Sequence, residues 1–310
     1  MQSYKNTKPI RLIELFAGIG SQAKALKRLN IPFESHFVCD FDKYAVASYN
    51  AVHGTNYEPC DITKITASDL NITHTHTYTY LLTYSFPCQD LSVAGKGAGM
   101  EKGSGTRSGL LWEVERLLNE CAELPQLLLM ENVTQVHGTK NKEHFDKWIE
   151  FLASKGYSNY WQDLNAKDFG IPQNRNRCFM VSILGDYAFT FPTAIPLTIR
   201  LSDMLEDTVD EKFYLSADYI DYAKRLTAES ESNGNGFRFA PFERERANSQ
   251  DHHKQSRTES NRQFCTGVQV SNQGKVIGNT TDICSTLMAR DYKGFNNYGM
   301  TGVLEIESDS

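Results

Sequence analysis

The segment FPCQDLS contains a cysteine, Cys88, that could act as a nucleophile. It follows an apolar run that predicts a strand, and open α/β sheets bind their ligands beyond the carboxyl ends of their strands. A Gly-rich stretch comes next, as is typical of a loop that closes over a site. A lone cysteine is more often a small buried apolar residue. The placement, rather than the residue type, therefore indicates a reactive thiolate.

Two further motifs carry groups that could hold a proton or orient a charge. Glu131, in ENV, follows an apolar run, so its carboxyl group is expected to be partly withdrawn from water. Arg175 and Arg177, in QNRNR, are two residues apart. In an extended segment both would point to one side, where guanidinium groups can orient a carbonyl, a carboxylate or a phosphate. Taken singly, each of these groups could equally be structural.

A third set of residues fits a nucleotide-like ligand. The turn FAGIG lies between a predicted strand and a predicted helix, where glycines let the backbone approach a ligand. The third glycine of the dinucleotide fingerprint is missing, which disfavours NAD. Asp40, about 20 residues on, could bind ribose hydroxyls and Phe41 could stack on an adenine. An acid here can also be a helix cap, because Asp42 precedes a helical stretch. Asp61 and Ile62 are further candidate contacts.

In this order the motifs FAGIG, FPCQDLS, ENV and QNRNR resemble those of the DNA (cytosine-5) methyltransferases. The resemblance covers residues 9–200 closely and residues 279–303 more loosely. It implies a doubly wound, mostly parallel α/β sheet of the Rossmann-like methyltransferase type, with a smaller β- and loop-rich lobe that recognises DNA. It also implies S-adenosyl-L-methionine as the cofactor, double-stranded DNA as the partner, and an enzyme of restriction-modification or phage type.

The resemblance also implies a role for each motif. Cys88 would attack carbon 6 of a cytosine flipped out of the duplex, and Glu131 would contact or protonate ring N3. Arg175 would hold the cytosine carbonyl oxygen and help fix Glu131, with Arg177 as a second support. The candidate contacts to the cofactor are Phe16, Ala17, Gly18, Gly20, Asp40, Phe41, Asp61, Ile62 and Pro87. The candidate DNA contacts are Gln89, Ser92 and Arg107. Each of them could equally be a polar residue of a solvated loop.

The elements that must position these residues alternate along the first part of the chain. Apolar runs and amphipathic stretches follow one another as in a parallel sheet covered by helices. Residues 230–263 are polar and lack aliphatic periodicity, which marks a change of organisation. The sequence therefore predicts a catalytic domain at 1–195 and a target-recognition region at 196–310. The predicted strands are Arg11–Leu15, Phe33–Cys39, Tyr78–Ser85, Gln126–Met130 and Cys178–Leu184, and the predicted helices are Ser21–Leu29, Lys43–Val52, Leu110–Ala122 and His144–Lys155.

Composition narrows the class of protein without identifying it. Of 310 residues 40% are hydrophobic, and no apolar run reaches the roughly 20 residues of a membrane span. The N-terminus lacks the layout of a signal peptide, which predicts a cytoplasmic protein. Seven scattered cysteines without a CxxC pair predict neither a disulfide framework nor a metal site. A net charge of -6 argues against a basic overall surface, although a local positive cleft could still bind phosphates.

The sequence departs from the family after the recognition region. Residues 279–290 resemble the last part of that region, and the Arg-rich segment and the Gly-Asn-containing C-terminal helix that follow it in the family are not recognised. We expect either that a second polypeptide supplies these motifs or that the sequence is a fragment. A degenerate relative of the family is the less favoured alternative. An RNA cytosine methyltransferase and a non-catalytic DNA-binding relative are the competing functions. A separate recognition lobe favours duplex DNA, because reading a groove requires one.

Overall fold

The computed structural model describes residues 2–91 and 99–204, a few helical positions between 218 and 229, and the pair 284–285. These residues belong to two compact units. The first unit comprises residues 2–164 and 176–192, and the second contains residues 165–175 and the described positions from 193 onward. None of the helices in the described part of the chain has the length and apolar character needed to cross a membrane.

A six-stranded sheet forms the centre of the first unit. Its strand order is β3-β2-β4-β5-β8-β6. The strands are β1 (Gln2–Ser3), β2 (Ile10–Leu15), β3 (Phe33–Cys39), β4 (Thr79–Tyr84), β5 (Leu127–Asn132), β6 (Tyr157–Asn165), β7 (Gln173–Asn174), β8 (Asn176–Leu184), β9 (Tyr187–Ala188) and β10 (Cys284–Ser285). Strand β2 runs parallel to β3 and β4, and β4 runs parallel to β5, whereas β8 is antiparallel to β5. The carboxyl ends of β2 to β5 and the start of β8 therefore lie along one edge of the sheet.

Helices alternate with the strands of this sheet along the chain. They are α1 (Ser21–Arg28), α2 (Lys43–His53), α3 (Ala67–Leu70), α4 (Leu111–Glu120) and α5 (Lys142–Ser154). Helix α5 buries residues three and four positions apart, which form one stripe of a helix: Phe145, Trp148 and Leu152. The Trp148 indole is fully buried and donates a hydrogen bond of 3.1 Å to the Tyr84 hydroxyl on β4. This contact joins the helix to the middle of the sheet.

The predicted fold class is confirmed, with strand and helix limits that differ by a few residues. Residues 108–110, just before α4, form a short 3-10 helix. Strand β5 continues through Glu131 and Asn132, beyond its predicted end, because its antiparallel pairing with β8 continues there. Strand β6 was not predicted from the sequence, since residues 157–165 are largely polar and have no apolar alternation.

The predicted target-recognition region lies mostly outside the described residues. Within the second unit, β10 pairs in parallel with β7, so Cys284 stands opposite Gln173. The predicted division of the chain at residue 195 and the recognition role of residues 196–310 stay predictions.

Candidate active site

The turn between β2 and α1 is shaped by positive φ angles. Phe16, Gly18 and Gly20 have φ values of 57°, 56° and 77°, in the left-handed region. At Gly20 a Cβ atom would clash with the rings of Tyr49 and His53, so only glycine fits. At Gly18 a Cβ atom would meet nothing within 4 Å. The backbone at Gly18 therefore borders open space, as a turn that approaches a ligand requires.

Asp40 lies directly beside this turn. Its Oδ2 accepts a hydrogen bond of 2.7 Å from the Gly18 amide, and its Oδ1 accepts one of 2.8 Å from the Asp42 amide. The helix cap is instead Asp42, whose carboxylate accepts from the Tyr44 amide at 2.8 Å. Each carboxylate oxygen of Asp40 still has a second lone pair for a ligand. The neighbouring Phe41 side chain is 77% exposed, so its ring is accessible.

The next loop is attached to the same strand end. The Cys60 amide donates to the Asp40 carbonyl at 2.8 Å, which places Asp61 close to Asp40 along the edge. Hydrogen bonds from the Thr63 hydroxyl and amide lower the pKa of Asp61. Ile62 was also predicted to contact the cofactor, but its side chain is buried in the main core. Any contact of Ile62 with a ligand would therefore come from its backbone.

Glu14 is a buried carboxyl group that no sequence motif indicates, and it connects the elements around this turn. Glu14, on β2, is fully buried. It accepts hydrogen bonds of 2.6 Å from the Tyr49 hydroxyl on α2 and 3.2 Å from the Ala23 amide on α1. Burial raises the pKa of Glu14 above its usual value. One side chain thus ties together the three elements that surround the turn.

The backbone on both sides of Cys88 is fixed by a buried serine. The Ser108 hydroxyl donates to the Pro87 carbonyl at 2.7 Å and accepts from the Asp90 amide at 3.3 Å. The Asp90 carboxylate in turn accepts from the Arg107 amide at 2.8 Å. Ser108 is fully buried, whereas Cys88 itself is half-buried. The thiol is therefore carried on a short backbone segment held from both ends.

Two of the candidate DNA contacts, Gln89 and Arg107, lie next to this segment. Gln89 is exposed, and its side-chain oxygen accepts a hydrogen bond from the Arg107 guanidinium group. Ser92, the third candidate, lies outside the described residues, as do residues 93–98. Two of the three predicted contacts are thus neighbours at the surface.

Asn132 joins the Cys88 segment to the Glu131 motif. Its side-chain amide donates a hydrogen bond of 3.0 Å to the Phe86 carbonyl, two residues before Cys88. Asn132 is buried at the end of β5, directly after Glu131. The ends of β4 and β5 are therefore connected, and the two motifs stand at the same edge of the sheet.

Glu131 forms an ion pair with Arg177. The Nε atom of Arg177 lies 3.3 Å from Oε1 of Glu131, and both side chains are 18% exposed. The register explains the contact: Glu131 pairs with Phe179, and Arg177, two residues before Phe179, points to the same face. The predicted supporting role of Arg177 agrees with this ion pair, and the predicted role of Arg175 in fixing Glu131 stays a prediction.

Arg175 belongs to the second unit. Its amide donates to the Asn165 side chain at 3.0 Å, and its carbonyl accepts from the Ala166 amide at 3.0 Å. These two hydrogen bonds hold its backbone within that unit. Its predicted contact with a cytosine carbonyl stays a prediction.

Comparison with known proteins agrees with this arrangement. The sequence model of C-5 cytosine-specific DNA methylases matches residues 10–296, which is most of the chain. The chain belongs to the C-5 cytosine-specific DNA methylase family. Within this family it is 37% identical over 259 residues to the type II methyltransferase M2.ScrFI of Lactococcus lactis, covering 68% of this chain and 71% of that protein. The family membership predicted from the motifs is thereby confirmed.

Other members of the family show similar likeness. The type II methyltransferase M.NlaX of Neisseria lactamica is 35% identical over 239 residues, covering 76% of this chain and 72% of its own length. The orphan methyltransferase M.SssI of Spiroplasma monobiae is 33% identical over 264 residues and covers 68% of each chain. Among solved structures, the S. pombe Dnmt2 methyltransferase superposes with a TM-score of 0.54 at 23% identity, covering 71% of this chain and 67% of that chain. This last similarity concerns the fold alone.

Proposed function

We propose that this member of the C-5 methylase family transfers a methyl group from S-adenosyl-L-methionine to carbon 5 of a cytosine flipped out of double-stranded DNA. One observation carries the proposal above the others. The Cys88 segment, fixed by Ser108, is linked through Asn132 to the Glu131–Arg177 ion pair at the edge of the sheet where the Gly18–Asp40 turn also lies. A nucleophile, an acid held by a guanidinium group and a ligand-binding turn are thereby arranged along one edge.

The turn fits the methyl donor. The open space at Gly18 admits the amino-acid part of the molecule, and the Asp40 carboxylate suits the two hydroxyls of a ribose. The exposed ring of Phe41 is placed to stack on an adenine. When bound, the donor supplies a methyl group on a positively charged sulfur. The remaining contacts proposed for it are Phe16, Ala17, Gly20, Asp61, Ile62 and Pro87.

In the proposed reaction the Cys88 thiolate forms a bond to carbon 6 of the cytosine. The electron pair of the C5–C6 double bond then becomes available at carbon 5, which takes the methyl group while the donor's carbon–sulfur bond breaks. Loss of the proton from carbon 5 to a base restores the double bond and expels the Cys88 thiolate. The thiolate consumed in the first step is therefore recovered in the last.

Glu131 and the arginines stabilise the charge that moves during this sequence. Electron density that builds up at ring N3 would be met by a proton held or shared by Glu131. Arg177, in contact with Glu131, keeps that carboxyl group oriented and adds a positive charge beside the ring. Arg175 is proposed to hold the cytosine carbonyl oxygen.

DNA binding is proposed to involve the surface beside Cys88. Gln89 and Arg107, which contact each other, and Ser92 would bind phosphates or fill the gap left by the flipped base. Extruding the base costs a few kcal/mol, which these contacts must recover. Residues 196–310 are proposed to read the DNA sequence. The type II names of the relatives favour a role in restriction-modification.

Transfer of labelled methyl groups to DNA of mixed sequence tests this proposal. We expect incorporation into duplex DNA and none into RNA of the same sequence. Cys88→Ala should abolish incorporation, and Cys121→Ala, at a half-buried cysteine at the end of α4, is the matched control that should keep it. Methylation of RNA alone would transfer the assignment to an RNA enzyme, and turnover by Cys88→Ala would exclude the proposed chemistry.

A further inference from the structure

Three side chains with metal-binding atoms meet beside β8. His137 lies in the 3-10 helix Thr134–His137 that follows β5, Asp163 lies on β6 and Cys178 lies on β8. The His137 Nε2 atom is 3.0 and 3.1 Å from the two carboxylate oxygens of Asp163. One ligand atom from each of the three residues lies within 4.8 Å of the other two. Within the described residues, this is the only such group of three.

This cluster borders the candidate active site but uses different side chains. Successive residues of a strand point to opposite faces, so Cys178 points away from the face on which Arg177 contacts Glu131. The Cys178 side chain belongs to the main core, together with Trp148. None of the three residues was assigned a role in the proposed methyl transfer.

We propose that His137, Asp163 and Cys178 form a binding site for Zn²⁺. A thiolate, an imidazole and a carboxylate are a ligand set that zinc prefers, whereas Mg²⁺ and Ca²⁺ require oxygen ligands. Zinc bonds of roughly 2.0 Å to nitrogen and oxygen and 2.3 Å to sulfur place two ligands of one ion about 3 to 4 Å apart. The His137–Asp163 distance already satisfies this spacing, and the Cys178 sulfur lies within 4.8 Å of the other two ligand atoms.

The surroundings of the cluster favour a preformed site with one open side. The His137 ring packs against two aromatic rings, with centroids 4.7 Å from Trp161 and 6.0 Å from Phe145. Cys178 is fully buried, whereas the side chains of His137 and Asp163 are 24% and 33% exposed. An ion can therefore enter from the side of His137 and Asp163, and a water molecule can complete a tetrahedral set from there.

The thiol of Cys178 is the ligand that must lose a proton to bind the metal. Binding of zinc would replace this proton at the sulfur, which releases it to solvent.

Cadmium titration of the reduced full-length chain tests the site, because a cadmium–thiolate bond gives an ultraviolet charge-transfer band. We expect the wild type to show a band that saturates at one equivalent and is displaced by Zn²⁺. Cys178→Ala should abolish this band. Asp163→Asn, which keeps the size of the side chain, and His137→Gln should each weaken binding at least tenfold. Calorimetric titration with Zn²⁺ should rank the affinities of the wild type and the three variants in the same order.

Two controls separate this site from adventitious binding. Cys121→Ala removes a half-buried thiol outside the cluster, and His74→Ala removes an exposed imidazole near a second histidine, His76. Both should bind like the wild type. No saturable band in the wild type, an unchanged band in Cys178→Ala, or unchanged affinity in folded Asp163→Asn and His137→Gln would overturn the proposal. Because the readout is metal binding, failure of the proposed methyl transfer would not affect it.

Discussion

Replacing Ser108 by alanine should slow the reaction without affecting the binding of the methyl donor. The hydroxyl of Ser108 is fully buried and makes two hydrogen bonds, one to the Pro87 carbonyl and one from the Asp90 amide. Removing it leaves a carbonyl and an amide without these partners in a poorly solvated position. A polar group left in this way costs about 1 to 3 kcal/mol. We expect a loss of unfolding free energy in that range.

The effect on rate follows from the position of Cys88 between the two bonds. A backbone released at Pro87 and Asp90 no longer holds the sulfur in one place, and a displacement of about 1 Å can lower a rate roughly a hundredfold. In the proposed site the donor is bound mainly by the turn at Gly18 and Asp40, whose hydrogen bonds do not involve Ser108. Among the proposed donor contacts, Ser108 bonds Pro87, through the Pro87 carbonyl. We therefore expect a kcat lowered by about a hundredfold and a Kd for S-adenosyl-L-methionine within twofold of the wild type.

Single-turnover methylation measures the rate, calorimetry measures donor binding, and urea unfolding measures the stability. Ser104→Ala is the control, because Ser104 is an exposed serine near Ser108 whose hydroxyl bonds only neighbouring residues of its own loop. It should leave all three quantities unchanged. A folded Ser108→Ala protein with a rate within threefold of the wild type would refute the argument that these two bonds position Cys88.

Three other substitutions test separate parts of the site. Asp40→Ala should weaken donor binding by about 1 to 3 kcal/mol, measured by calorimetry, because ribose hydroxyls lose a charged partner; unchanged affinity would leave Asp40 with a purely structural role. Arg177→Leu should lower kcat at least a hundredfold, whereas Arg28→Leu, in the last turn of α1, should not. Because the pKa of Glu14 is raised, the folded chain keeps that proton after the unfolded chain has lost it. The stability of the wild type relative to Glu14→Gln should therefore be greatest below about pH 4.3 and fall as the pH rises, and thermal unfolding with a pH-independent difference would contradict this.

Much of the fold could be predicted because the inner strands are apolar runs of the right length. Strand β3 begins and ends where the sequence predicts, and β2 and β4 differ from prediction by one residue at the ends. Strand β6 could not be recognised, because it is the outermost strand of the sheet. One side of such a strand meets solvent, where polar residues are tolerated. Its side chains are mostly half-buried, so they carry no clear period of two.

The site was predictable where a motif is local and not where it depends on pairing between distant segments. Cys88, Glu131 and Asp40 stand at strand ends that the sequence reveals. The contact of Arg177 with Glu131 depends on the register of β5 and β8, and no sequence pattern fixes that register. Ser108 and Glu14 are ordinary residues in the sequence. They become important only because the fold brings them to the Cys88 segment and to the turn.

The zinc ligands illustrate the same limit. His137, Asp163 and Cys178 are separated by 26 and 15 positions, so they match no metal-binding motif. They come together because β6 and β8 are neighbours in the sheet and the 3-10 helix that ends at His137 follows β5. The absence of a CxxC pair predicts no metal site. Ligands taken from three separate elements are invisible to an argument from spacing.

DNA that contains 5-fluorocytosine tests whether Cys88 forms a covalent bond to cytosine. Fluorine at carbon 5 cannot leave as a proton does, so the last step is blocked and the enzyme stays attached. In the presence of S-adenosyl-L-methionine, the wild-type protein should form a complex with duplex DNA that survives boiling in detergent. Peptide mapping should locate the bond at Cys88, and Cys88→Ala should form no adduct. An enzyme that methylates ordinary DNA but forms no adduct, or forms it at another residue, would contradict the account.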